Sequence, residues 1–330
     1  MKKIIITSKK EHTRHHYIPQ CYLRNFSDNG VNIYTYDKYS STSYYARIED
    51  RCTIDDFYRL SKGYIKENPQ DTGKELFIEC DYLSSNIEPN FSKIISWLIS
   101  RKEQCLKDEN KNIGLSFNDK KVIAAHIAIQ YLRLPIMKTD VLDTFNQIMP
   151  QMIDLFKQGI AIENNDQRFN DLDITAHCDP ALYHAGMTFM NKEFINEFAE
   201  ILANNYWSFL VSGNGIFYTS DFPIVVEPHV PNVRPMYLGL AQYGAELTFP
   251  ISKDIVITIW DKEYFASKRD SDCKFITVDA KEERRQNSFR YFYARRNVFS
   301  FHNDFKMIDV HKTINNDCHC FKGILSPPRL

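Results

Sequence analysis

The sequence predicts an α+β fold: a helical middle layer packed against an antiparallel or mixed sheet built from N- and C-terminal hairpins. Three observations predict it. Residues 31–36 and 43–48 alternate as paired strands do, apolar residues recur at helical spacing through about 76–205, and alternation returns after Trp207. No repeat, low-complexity stretch or Gly/Ser-rich linker interrupts the chain. Residues 1–330 therefore read as one domain in three regions, 1–75, 76–205 and 206–330.

In the first region a short helix precedes the hairpin, and Asp28-Asn29-Gly30 supplies the turn before its first strand. In the second, Ile87, Phe91, Ile94, Ile95 and Leu98 share a helix face, and further helices are expected over 119–134, 139–158 and 180–205. Asn118 is the expected N-cap of the 119–134 helix, with Asp119 in its first turn and Pro135 marking its end. In the third, Trp207, Phe209 and Val211 lead into Gly213-Asn214-Gly215, which predicts a hairpin returning through Ile216–Thr219. Residues 246–250 and 255–260 add two strands, and 280–298 reads as a closing helix.

With 43% hydrophobic residues in 330, the chain can bury a large core, which excludes disorder. Its 41 Lys+Arg balance 42 Asp+Glu, so any anion site is local rather than a global field. No run approaches the ~18 apolar residues of a membrane helix, and the apolar stretch after Met1 is too short for a signal peptide. A cytoplasmic protein with no membrane partner is expected. Its eight cysteines lack paired spacing, which fits reduced thiols in the core.

His15-His16-Tyr17-Ile18-Pro19-Gln20-Cys21-Tyr22-Leu23-Arg24-Asn25-Phe26 resembles the opening signature of the domain of unknown function 4238 family. Ile87-Glu88, residues 130–135 and residues 217–223 follow in that family's order, so the resemblance covers most of the chain. It implies no established activity; it marks polar positions to examine. Cys21 departs from the family, where an aromatic is usual, a difference expected to touch packing only.

The residue before a proline avoids the helical region and proline suits a first helical turn, so a helix is expected from Pro19. His16 then sits outside its N-terminus, kept neutral by the helix dipole, while Gln20 and Arg24 share one face. A neutral histidine beside an anion-binding helix end suits proton transfer on a phosphate. The alternative is structural, with His16 bonded to backbone and Arg24 braced by Glu88 or another carboxylate.

On the 119–134 helix, His126, Gln130 and Arg133 form one polar stripe on an otherwise apolar surface. A buried arginine there needs a carboxylate, a phosphate or carbonyls, so the stripe faces a polar network or a ligand. Asp221, after Thr219-Ser220, is expected to accept a proton, orient His16 or pair with Arg133; the alternative is a turn bonding its own backbone. Ser220 lacks the Gly-x-Ser-x-Gly elbow of a nucleophile and is grouped with the anion contacts.

Other motifs are set aside. Cys318-His319-Cys320 with His311 lacks the spacing of a structural zinc site, and no nucleotide loop is present, so neither metal nor cofactor is assigned. Residues 283–296 interleave five arginines with aromatics, as a base-stacking helix does, or as an amphipathic helix with its arginines outside.

Two functions remain open. One is a metal-independent phosphodiesterase, a ribonuclease of a bacterial toxin or phage-defence kind. In it His16 is general base or acid, Glu88 or Asp221 its partner, and Arg24 and Arg133 the phosphate clamps. The other is a non-enzymatic sensor that binds a nucleotide or another anion through the same arginines. RNA or a nucleotide is the expected partner in either case. That these residues converge is implied by the resemblance, not by their spacing.

Overall fold

The computed structural model of the chain describes residues 13–109, 111–230 and 242–308. The fold is α+β. Strand β1 (Arg14–His16) pairs antiparallel with β4 (Thr53–Asp55), and between them lie helix α1 (Gln20–Leu23) and the expected hairpin, β2 (Asn32–Asp37) with β3 (Thr42–Arg47). Gly30, at φ +72, makes the turn into β2.

The middle region is helical. After the short helix α2 (Lys62–Glu67), a π-helix, Ile78–Ile87, runs into α3 (Glu88–Lys107), followed by α4 (Phe117–Leu132), α5 (Pro135–Glu163), α6 (Pro180–Met187) and α7 (Lys192–Ala203). The N-cap of α4 is Ser116, not Asn118. Its hydroxyl accepts from the Asp119 N–H at 3.2 Å and the Asp119 carboxylate accepts from the Ser116 N–H at 2.9 Å, a reciprocal pair that Asn118 cannot make. Pro135 closes α4 as expected and opens α5. Among the described residues, no helix is long and apolar enough to cross a membrane.

The C-terminal strands build two sheets. A mixed five-stranded sheet has the order β10 (Lys274–Thr277), β5 (Tyr206–Val211), β9 (Ile255–Trp260), β8 (Ala245–Ser252), β7 (Val225–Pro228); only the β10–β5 pair is parallel. The antiparallel four-stranded sheet has the order β3, β2, β11 (Asn297–Ser300), β6 (Thr219–Ser220), so the N-terminal hairpin shares a sheet with C-terminal strands.

Two expectations fail here. The predicted 207–219 hairpin does not form, because β9 and β10 occupy both edges of β5. The Ser212 hydroxyl instead accepts the N–H groups of Asn214 and Ile216, Gly215 takes φ +63, and the chain crosses to the other sheet as β6. The closing helix α8 (Ala280–Tyr293) also stops short of 298. The Lys38 ammonium donates to the carbonyls of Tyr291 at 2.7 Å and Ala294 at 2.6 Å, capping α8 so that β11 can follow.

One apolar core joins Ile18, Tyr22, Phe91 and Ile127 to Trp207, Phe249 and Phe299, and so links all three regions. Of the α8 arginines, Arg284 is exposed, while Arg285 and Arg290 turn onto buried acceptors. Arg290 is 1% exposed and donates to the Pro223 carbonyl at 2.6 Å, and Arg285 forks onto the buried Glu246 carboxylate at 2.6 and 2.8 Å. These arginines serve the fold, bound to carbonyl and carboxylate oxygens that the sheets present.

Candidate active-site cleft

Adjacent side chains on a strand point to opposite faces, and β1 uses this to separate two histidines. His15 is fully buried, its Nδ1 accepting from the Tyr58 N–H at 2.9 Å. His16 faces a cleft of about 1140 Å³. Its ring hydrogen-bonds the Glu49 backbone, while Nε2 is buried without a hydrogen-bond partner. Burial, opposed by Glu88, lowers its pKa below the ordinary 6.5, so the ring is neutral near pH 7. Burial, not a helix dipole, is the first cause of that lowering.

The signature segment divides by face. Ile18, Tyr22, Leu23 and Phe26 are buried, with the Tyr22 hydroxyl donating to the Pro250 carbonyl at 2.7 Å. Gln20, Cys21 and Arg24 line the cleft instead. Pro19 is extended and caps α1, so the helix begins one residue later than expected. Arg24 is exposed and donates to the Gln20 amide oxygen at 3.0 Å. The structural alternative of an Arg24–Glu88 brace does not form, since Glu88 pairs elsewhere. Cys21 is more than packing: it forms part of the cleft wall, its thiol pushed up to about 11 by burial, with Glu88 adding to the shift.

The opposite wall comes from the π-helix and the start of α3. A π-helix leaves each turn wider than an α-helix, and such segments recur at functional sites. Ile78 and Leu83 face the core, while Glu79, Cys80 and Ser84 face the cleft. The Glu79 carboxylate accepts the His16 backbone N–H, and its Oε2 is buried without a partner. Burial pushes its pKa up to about 7, against Arg133, with Glu88 adding to the rise. Glu79 was not among the sequence candidates, because no apolar periodicity marks the segment around it.

Glu88 lines the cleft where the π-helix continues into α3. Arg133, 1% exposed, lies behind that wall. It donates Nη1 to Glu88 at 3.0 Å, Nη2 to the His16 carbonyl and Nε to the Tyr58 hydroxyl at 3.3 Å. Burial works against its charge, but Tyr58, Glu88 and Glu79 outweigh it and hold its pKa above the ordinary value. Arg133 is thus a brace between β1 and α3 rather than a clamp open to substrate.

Four other candidates lie elsewhere. Asp221 meets neither His16 nor Arg133; it accepts the backbone N–H groups of Arg295, Arg296 and Asn297, each at 2.8 Å, pinning the turn before β11. Ser220 accepts the Phe222 N–H at 3.1 Å and donates to its carbonyl at 2.8 Å, the turn alternative. Gln130 donates to the Tyr17 carbonyl at 3.1 Å, and His126 stacks 5.8 Å from Phe91 with its pKa lowered to about 4 by burial. The polar stripe therefore faces a network. Cys318, His319, Cys320 and His311 fall outside the described residues.

The cleft mixes charges. Arg14 is paired with Asp50 and Arg47 with Glu49 at 2.9 Å, which leaves Arg24 as a cleft cation with no ion pair among the described residues. Also among those residues, no group of three His, Cys, Asp or Glu side chains is placed to hold a metal ion. What converges is an unprotonated imidazole nitrogen, a carboxyl that titrates near neutrality, and an exposed guanidinium. The first two can take and give a proton at the same pH.

A family model described as Protein of unknown function (DUF4238) matches residues 14–304. The chain belongs to this family. The matched span starts at β1 and ends beyond β11, so both cleft walls of this DUF4238 protein lie inside it. No curated protein and no solved structure matches the chain.

Proposed function

We propose that this DUF4238 protein is a metal-independent phosphodiesterase acting on RNA. The observation that carries the reading is the pair of buried, unpartnered atoms, His16 Nε2 and Glu79 Oε2, on one cleft with opposite proton demands. His16 takes the proton of a ribose 2′-hydroxyl, whose oxygen attacks phosphorus; the bond to the 5′-oxygen breaks, and protonated Glu79 supplies the leaving group's proton. The products are a 2′,3′-cyclic phosphate and a 5′-hydroxyl. Arg24, held by Gln20, neutralises charge on the phosphoryl oxygens, and Glu88 with Arg133 holds the two walls in register.

Purified protein incubated with total RNA, single-stranded DNA and nucleotides, with and without EDTA, tests this. Cleavage of RNA that survives EDTA and falls by about 10²–10⁴-fold in His16→Ala is expected. An unchanged rate in His16→Ala would remove the assignment. Binding of an anion that raises Tm but is left chemically intact supports instead the sensor reading, for which the exposed Arg24 is the anchor. A toxin role further predicts growth arrest on expression of the active chain and not of His16→Ala.

A further inference from the structure

Helix α5 carries an apolar stripe that no described residue covers. Along its second half only Ala161 is buried, and a 3₁₀ turn, Gln167–Asp171, packs against that side. On the other side Ile148, Met152, Leu155, Phe156 and Ile162 are between 47% and 77% exposed. Ile148, Met152, Leu155, Gly159 and Ile162 advance by four, three, four and three residues, the spacing of a coiled-coil seam. A helix that faced only solvent has no reason to keep it.

We propose that the occupant of this stripe is a second copy of the same chain, joined by a two-fold axis that sets the two α5 helices antiparallel. Such a register places Met152 of each copy against Leu155 of the other, and Ile148 against Gly159. The large residue meets the small one: a Cβ at Gly159 would find nothing within 4 Å, so the helix surface is open there to receive Ile148. Flanking positions Met149, Gln151, Phe156 and Gln158 are uncharged, so the two-fold brings no like charges together. Asp154 and Lys157 sit off the seam and face each other at 4.0 Å within one helix.

The area suffices. The five side chains expose on the order of 500 Å² per copy, and pairing removes on the order of 1000 Å², the lower bound for a specific interface. The uncharged flanks carry no code for a different partner, which in paired helices is written in charges beside the seam.

The test is sedimentation velocity on the full chain at micromolar concentration, for wild type and Leu155→Asp, with circular dichroism on both. Twice the chain mass for wild type, falling to one chain mass in Leu155→Asp with an unchanged spectrum, is the expected result. Wild type at one chain mass, or a dimer that Leu155→Asp leaves intact, overturns the proposal. Met152→Lys, on the same layer, decides the matter by the same readings if Leu155→Asp loses its fold. Because α5 contributes nothing to the cleft lining, the result is independent of the phosphodiesterase reading.

Discussion

Arg133 donates to Glu88 at 3.0 Å from a position only 1% exposed, and the same guanidinium holds the His16 carbonyl. One buried cation thereby fixes the spacing of the two cleft walls. Its charge is retained because carboxylate, hydroxyl and carbonyl oxygens surround it; removing it leaves Glu88 uncompensated and two acceptors unsatisfied. Arg133→Met is expected to cost about 3–5 kcal/mol in urea unfolding.

Arg24 behaves oppositely. It is exposed and bonded only to Gln20 among the described residues, so Arg24→Ala should change stability by less than about 0.5 kcal/mol. RNA affinity or cleavage should nevertheless fall, with a weaker salt dependence. A filter-binding titration across salt concentrations separates the two effects, and unchanged affinity would remove Arg24 from the site.

Glu79 makes stability depend on pH in a stated direction. Its folded pKa, about 7, lies above the ordinary 4.5, so the folded state holds a proton that the unfolded state releases. Stability from this group is present below about 4.5 and is lost as pH rises through 7. Glu79→Gln, neutral at every pH, should match wild type at pH 4.5 and exceed it at pH 8 by on the order of 2–3 kcal/mol. Equal denaturation midpoints at pH 8 would contradict the assigned burial.

The helical middle layer and the β2–β3 hairpin were legible because alternation and helical spacing survive in the residues themselves; which strands join that hairpin was not, because β11 starts inside the stretch that reads as a closing helix. So was the cleft face of the signature: Pro19 fixes where α1 starts, which sends His16, Gln20 and Arg24 to one side. The turn at 213–215 misled because a glycine pair looks the same whether the next strand returns beside the last or leaves for another sheet. The end of α8 depends on Lys38, more than 250 residues away, and no local signal reports it. Glu79 escaped notice since a π-helix breaks the 3.6-residue period by which helical faces are read.

Asp221 illustrates a carboxylate whose motif suggests chemistry and whose contacts are structural. It accepts three backbone N–H groups in a fully buried position, where burial raises its pKa and those bonds lower it. Asp221→Ala strands three buried donors and should cost at least about 3 kcal/mol. Asp221→Asn, which keeps one acceptor oxygen, should cost less and, below its melting temperature, cleave RNA at the wild-type rate. A folded Asp221→Asn protein without activity would return this residue to the chemistry.

The central claim is that neutral His16 and protonated Glu79 act together, and the pH dependence of RNA cleavage tests it most directly. The rate should rise with pH through the His16 pKa, below 6.5, and fall through about 7 as Glu79 ionises. Glu79→Gln should cleave far more slowly and lose the falling limb. A wild-type rate that keeps rising above pH 8, or a falling limb that persists in Glu79→Gln, contradicts the account.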